Sequence, residues 1–227
     1  MQFKLLIASA FFAASASAIT GKLGDAAVIT DNPAGASYVA TLPSNGTVTG
    51  SAKFSSTGNG TGVEVSIDFK GFKGATGPYA YHVHDQPVPA DGNCNGTLAH
   101  LDPYQRGQAD PCDPKYPATC EVGDLAGKHG KIPNSNGSTL EVYLVFVDNY
   151  ISTKRGIGAF VGNRSIVIHN SAGGRIACAN LTTVGVRSPS TPSPSGGGPI
   201  SPSSGASALT VSGLFGFAAF MVAVLAL

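Results

Sequence analysis

The chain has 227 residues, 42% of them hydrophobic and only 12% charged, with 30 Gly, 15 Pro and no Trp. Its formal net charge is +1, without the basic excess that a nucleic-acid partner demands, so that class is excluded.

Residues 1–18 hold one basic residue (Lys4), an apolar run over 5–14 and Ala16-Ser17-Ala18. This is the plan of a secretory signal peptide with a small-residue cleavage site. The run is too short to span a bilayer, and export places the mature chain in an oxidising compartment. Residues 19–186 read as one domain, long enough to bury a sizeable core. They carry all 13 acidic residues and 12 of the 14 Lys and Arg, a net charge of −1.

Strand signals recur through this domain, at 47–54, 63–69, 79–84, 140–147, 165–169 and 175–181. The clearest is Val63-Glu64-Val65-Ser66-Ile67-Asp68-Phe69, where apolar and polar residues alternate strictly. Turns such as Gly58-Asn59-Gly60 and Ser171-Ala172-Gly173-Gly174 separate them. No stretch of the domain has sustained helical periodicity. The expectation is an all-β fold, a Greek-key barrel or sandwich of about eight strands with long stapled loops.

The segment 86–131 breaks the pattern, with Pro87, Pro89, Pro103, Pro111, Pro114 and Pro117, residues that disfavour central strands. Loops this long inside a compact domain tend to be functional. It holds Cys94, Cys112 and Cys120, the fourth cysteine being Cys178. Four cysteines in an exported domain read as two disulfides, with three possible pairings. A local Cys112–Cys120 bridge would leave Cys94 to join the loop to the last strand at Cys178. That closure of about 85 residues contributes roughly 4–5 kcal/mol in the chain-entropy account. Six Asn-X-Ser/Thr sequons, at Asn45, Asn59, Asn95, Asn136, Asn163 and Asn180, agree with an exported glycoprotein.

Residues 187–206 are almost wholly Ser, Pro, Gly and Thr, a linker that cannot bury a core. Residues 207–227 end in an uncharged apolar run over 214–227, preceded by Ser203, Ser204, Gly205 and Ala206. This pattern is a GPI-attachment signal with a removed tail, tethering the domain to membrane or cell wall. A run of 14 residues is short for a spanning helix.

Chemistry concentrates in the histidines. His82 and His84 share one face of a strand, because side chains alternate with a period of two. Two imidazoles on one rigid face make half a metal site, and His100 and His169 could complete it. Four nitrogen donors suit copper. A hydrolase is excluded, since no nucleophile–His–acid set is signalled and the cysteines read as paired.

In chain order these elements are His82-Val83-His84, Gly92-Asn93-Cys94 with His100, Val122-Gly123-Asp124-Leu125, Ser165-Ile166-Val167-Ile168-His169 and Gly174-Arg175-Ile176-Ala177-Cys178. Together they resemble the copper/zinc superoxide dismutases, most nearly the fungal, GPI-anchored, copper-only branch. The resemblance implies an eight-stranded Greek-key barrel with His82, His84, His100 and His169 on copper. His100 would take the position that bridges two metals in the two-metal enzymes. Arg175 would hold the superoxide anion, Cys94–Cys178 would be the loop-pinning disulfide, and the protein would be a monomer.

Two departures from the two-metal enzymes matter. Glu121 stands where a zinc histidine should precede Asp124 by three, and no histidine lies between His100 and Glu121. A dedicated zinc site is therefore expected to be absent. Only eight residues separate His169 from Cys178, where the two-metal enzymes carry a long funnel-forming loop, so a shallow, open site is expected.

The chemistry implied is extracellular dismutation of superoxide to O2 and hydrogen peroxide at one copper, with His100 as proton donor. Without zinc, Glu121 is expected to orient His100 directly, and Asp124 to support the site from behind. Two alternatives remain open from sequence alone. One is a copper-and-zinc enzyme with a non-standard zinc site from Glu121, Asp124, His100 and His129. The other is a non-enzymatic copper-binding module at the cell surface.

Overall fold

A strictly alternating strand buries every second side chain, and Val63-Glu64-Val65-Ser66-Ile67-Asp68-Phe69 does so. Val63, Val65, Ile67 and Phe69 are fully buried while Glu64 and Asp68 face solvent. The computed structural model describes residues 21–73, 76–135 and 138–184. The expected signal peptide (1–18), linker (187–206), anchor tail (207–227) and the sequon at Asn136 lie outside them.

Among the described residues eight strands form, in two antiparallel sheets. They are β1 (Ser37–Leu42), β2 (Thr49–Ser56), β3 (Val63–Phe72), β4 (Ala80–His84), β5 (Leu140–Asp148), β6 (Ser165–His169), β7 (Arg175–Asn180) and β8 (Thr182–Thr183). The larger sheet runs β5-β3-β2-β1-β8 and the smaller β4-β6-β7. The expected all-β class and strand number hold. Sequence signals did not isolate β1, whose apolar positions are shared between Tyr38, Ala40 and Leu42 inside and the half-buried Val39. They also passed over α1 (Leu125–His129), a short helix of five residues.

The core lies between the sheets. Ala52, Phe54, Val65, Ile67 and Phe69 from the larger sheet meet Tyr81, Val83, Ile166 and Ile168 from the smaller. Period two then sends His82 and His84 of β4, and His169 of β6, to the outer face of the small sheet. Those residues are buried too, because the segment between β4 and α1 folds over that face. This covering turns a sheet surface into a site.

Three backbone hydrogen bonds fix the cover. Val83 N donates to Gly123 O (2.9 Å), Gly123 N to Leu101 O (2.7 Å) and Leu101 N to Val83 O (2.9 Å). Gly123 is required at this crossing. A Cβ there would lie 2.2 Å from Val83 O and 2.8 Å from Leu101 N, too close for any side chain. Cys94–Cys178 links the cover to β7, and Cys112–Cys120 closes a smaller loop within it. No cysteine is free.

Helix α1 is tied down by a buried ion pair. Lys128 Nζ lies 2.6 Å from Asp148 Oδ2, both side chains being within 1% of complete burial, and it donates to Val122 O at 2.9 Å. His129 Nε2 contacts the same carboxylate oxygen at 2.8 Å, and its ring stacks on Phe146. Asp148 Oδ1 accepts from the backbone N–H groups of Tyr150 and Ile151. The carboxylate thus has partners on both oxygens, as a buried charge must.

Burial opposes ionisation of Asp148, but Lys128 and these hydrogen bonds outweigh it and hold the carboxyl below its ordinary range. Asp148→Asn should leave Lys128 buried without a counter-charge and cost about 3–5 kcal/mol, measured by denaturant unfolding. A carboxylate with a depressed folded-state pKa stabilises fully above its unfolded value of about 3.9 and less below it. The gap between wild type and variant should therefore narrow steadily as pH falls below about 4. Equal stability at pH 7 would show that the pair contributes nothing.

Candidate metal centre

The four histidines read from the sequence come together. One ring nitrogen from each of His82, His84, His100 and His169 lies within 4.8 Å of the others. His82 and His84 come from β4, His169 from its antiparallel neighbour β6, and His100 from the covering segment. An isolated bridge between His84 and His100 attaches that segment beside β4.

Each ring's other contacts decide which nitrogen faces inward. His84 Nδ1 meets Leu98 O at 2.9 Å, and His169 Nδ1 meets Gly173 O at 3.1 Å. A carbonyl only accepts, so both Nδ1 atoms carry the proton and both Nε2 atoms keep lone pairs. Those Nε2 atoms face one another at 3.1 Å, a repulsive contact unless a cation lies between. His100 Nδ1 donates to Glu121 Oε2 at 2.5 Å, freeing its Nε2. His82 is the exception, with its Nδ1 buried and without a hydrogen-bond partner. Its Nε2 lies 3.4 Å from Asp124 Oδ1.

Four inward lone pairs, one on an orphaned buried nitrogen, fit a metal ion that favours imidazole. The electrostatics agree. Burial, then the charges of neighbouring imidazoles and Lys131, holds His82 far below its ordinary value. Burial likewise lowers His84 to about 3, and lowers His169 against the pull of its bond to Gly173. All three are neutral near pH 7, the form that ligates metals.

Two carboxylates stand behind this cluster. Glu121, itself buried, reaches His100, and Asp124 approaches His82 while accepting from Gly127 N at 2.7 Å to cap α1. Metal-bound imidazoles commonly give their second N–H to such groups. Glu121 and Asp124 flank Val122 and Gly123, so the backbone crossing at Gly123 and the Lys128 bond to Val122 O set both at once.

Arg175 opens β7, beside His169 in the ladder. Its guanidinium donates to Cys94 O (2.7 Å), Thr97 Oγ1 (2.8 Å) and Leu98 O (2.5 Å). Thr97 is a site residue that sequence reasoning missed. It is fully buried, accepts from Arg175, lies 3.2 Å from His84 Nδ1 and donates to Cys94 O at 2.8 Å. Its only sequence signal was the sequon at Asn95, which points to the surface. Asn45, Asn59, Asn95, Asn163 and Asn180 are all exposed.

His129 sits on Asp148, away from this cluster. Among the described residues it joins no group of three or more metal-ligating side chains, so the donors of the non-standard zinc site are not brought together. The centre opens to solvent through a cavity of about 490 Å³. Its wall includes Ala80, Gln108, Lys131, Asn170, Ser171 and Arg175. Only the tight turn 170–174 connects β6 to β7, leaving this side without a wall.

Comparison with known proteins agrees with this geometry. Residues 48–181 match the copper/zinc superoxide dismutase (SODC) family. A cell surface Cu-only superoxide dismutase of Arthroderma benhamiae is 39% identical, over 86% of this chain and 60% of that protein. Cell surface Cu-only superoxide dismutase 5 of Candida albicans is 41% identical, over 70% of this chain and 66% of that protein. The chain thus spans less than two thirds of either relative's length. The solved structure of the Candida albicans superoxide dismutase 5 in its Cu(II) form superposes with a TM-score of 0.56 at 40% identity, covering 67% of this chain and 94% of that one. From motif order, fold and alignment together, this chain belongs to the copper/zinc superoxide dismutase family.

Proposed function

We propose that this protein is an extracellular, cell-surface superoxide dismutase that holds one copper and no zinc. The observation that carries this reading is the set of four inward imidazole nitrogens with the Glu121 carboxylate against the outer nitrogen of His100. The ligands are His82 through Nδ1, and His84, His100 and His169 through Nε2. Copper held there supplies one-electron chemistry, taking an electron from one superoxide to release O2 and giving it to a second, which with two protons becomes hydrogen peroxide.

The chain's own residues supply orientation and protons. Glu121 fixes the His100 Nδ1–H, so Nε2 is the atom at which His100 binds, releases and carries a proton. Asp124 holds His82 in the tautomer that exposes Nδ1. Arg175 contributes positive charge beside the anion's path, while Thr97 and the Cys94–Cys178 bridge hold the arginine in place. The name of each relative places it at the cell surface. For this chain the same location rests on residues 1–18 as signal, 19–186 as the exported domain, 187–206 as linker and 207–227 as a GPI signal. The domain is read as monomeric, with glycans on its sequons.

The test is metal content and dismutase activity measured on one sample reconstituted with copper and zinc together. One copper, no stoichiometric zinc and fast turnover are expected. One zinc per copper would overturn the copper-only reading, and bound copper without turnover would leave a binding module.

Removing the Glu121 carboxylate by Glu121→Ala should lower activity or copper affinity roughly 10- to 100-fold, the usual effect of losing such a partner. Glu121→Gln, which keeps an acceptor, should fall between. Turnover unchanged in both would exclude the orienting role.

The depressed imidazole pKa values also predict acid tolerance. A free imidazole, with a pKa of about 6.5, is mostly protonated at pH 5 and cannot ligate. Here His84 stays neutral until about pH 3, and His82 and His169 are shifted in the same direction. Copper should therefore be retained on dialysis at about pH 5. Its loss there would contradict the burial that lowers these values.

A further inference from the structure

The wall of the metal cavity carries two cations, Lys131 and Arg175, and no carboxylate. Their circumstances differ. Arg175 has its N–H groups engaged by Cys94, Thr97 and Leu98, so it acts as a fixed charge with few donors left for a ligand. Lys131 is exposed and makes no hydrogen bond or ion pair with any described residue. Among the described residues its ammonium group has no acceptor.

The backbone beside Lys131 is nevertheless fixed. Ile132 N donates to Tyr79 O at 2.9 Å, and Tyr79 N to Ile132 O at 2.8 Å. That pair of bonds anchors the lysine next to the start of β4, since Tyr79 immediately precedes that strand. Lys131 also lines the adjoining hollow with Asp124, Gly127 and His82. It therefore stands on the β4 side of the centre, while Arg175 belongs to β7 on the other edge of the small sheet.

Neither nearby acid lines this cavity, although Asp124 shares the adjoining hollow with Lys131. Glu121 and Asp124 are turned towards the outer nitrogens of His100 and His82. The domain's net charge of −1 gives no long-range attraction for an anion. Capture must then rely on charges within about one Debye length of the opening, about 8–10 Å at ordinary salt.

We propose that Lys131 is the mobile cation that captures the substrate anion at the mouth of this centre, opposite the fixed charge of Arg175. This rests on the dismutase reading for the identity of the anion, superoxide, but the site would take any small monoanion. No bond is made or broken by Lys131. It raises the local anion concentration and releases the anion inward.

The experiment compares copper-loaded secreted protein with Lys131→Gln, Lys131→Glu and Lys131→Arg, after equal copper content has been shown for all four. The second-order rate constant for superoxide at low salt should fall roughly two- to five-fold in Lys131→Gln and by roughly tenfold in Lys131→Glu, with Lys131→Arg near wild type. These gaps should close as salt is raised, because screening removes what the charge contributed. Azide binding, followed through its visible absorption with Cu(II), should weaken in the same order.

Rates, salt slopes and azide affinities identical to wild type in Lys131→Glu would overturn the proposal. Wild-type protein that binds copper and azide but does not consume superoxide would overturn the dismutase reading instead. The azide series would still decide whether Lys131 captures anions.

Discussion

The constraint on which the centre depends is the crossing of three backbones at Val83, Leu101 and Gly123. Each N–H there is matched to a carbonyl of the next segment, so the arrangement is closed and leaves no donor for water. One residue along from each crossing point stands a functional side chain. His82 and His84 flank Val83, His100 precedes Leu101, and Asp124 follows Gly123, while Glu121 lies two residues before that glycine. Positions that lie far apart in the chain are thereby held to backbone precision. The absence of a side chain at Gly123 permits the approach, and no larger residue could substitute.

Around that crossing the protein builds a layered charge distribution. Carboxylates lie behind the imidazoles, and cations lie at the opening. The buried imidazoles between them are neutral, because burial and mutual repulsion disfavour their protonated forms. A cluster of neutral imidazoles with paired lone pairs is poorly stable alone, and a bound cation resolves it. The local instability is supported by the rest of the fold, particularly the Lys128–Asp148 pair that ties α1 to the end of β5. Breaking such a pair strands a buried charge, so the tie resists movement of the segment that carries Glu121 and Asp124.

The sequence made the fold class and the four imidazoles legible for a simple reason. Strand alternation in 63–69 and the His82-Val83-His84 spacing are local patterns, and period two converts them directly into faces. The pairing of Glu121 with His100 was legible only through the missing zinc histidine, a departure from a known pattern. Nothing local announced the partners of Lys128 and His129, since Asp148 sits about twenty residues on, at the end of an edge strand. Thr97 was hidden for another reason. Its sequon suggests a surface hydroxyl, whereas the disulfide and Arg175 draw it fully inside. Strand β1 was missed because the apolar Val39, at an outward position between Tyr38 and Ala40, blurs its alternation.

A long loop over the mouth could have supplied both selectivity and attraction, and here the turn 170–174 is too short to provide it. Selectivity then has to come from depth. An anion entering the opening meets Arg175, held in place by Cys94 O, Leu98 O and Thr97 Oγ1, and reaches the imidazoles without passing a carboxylate. Moving Glu121 or Asp124 to the wall would place negative charge on that path and leave His100 or His82 unoriented. The same two acids therefore serve orientation and keep the approach free of repulsion, and both effects follow from their position behind the rings. An open mouth is compatible with anion chemistry on that condition, that Glu121 and Asp124 are engaged from the inner side of the imidazoles.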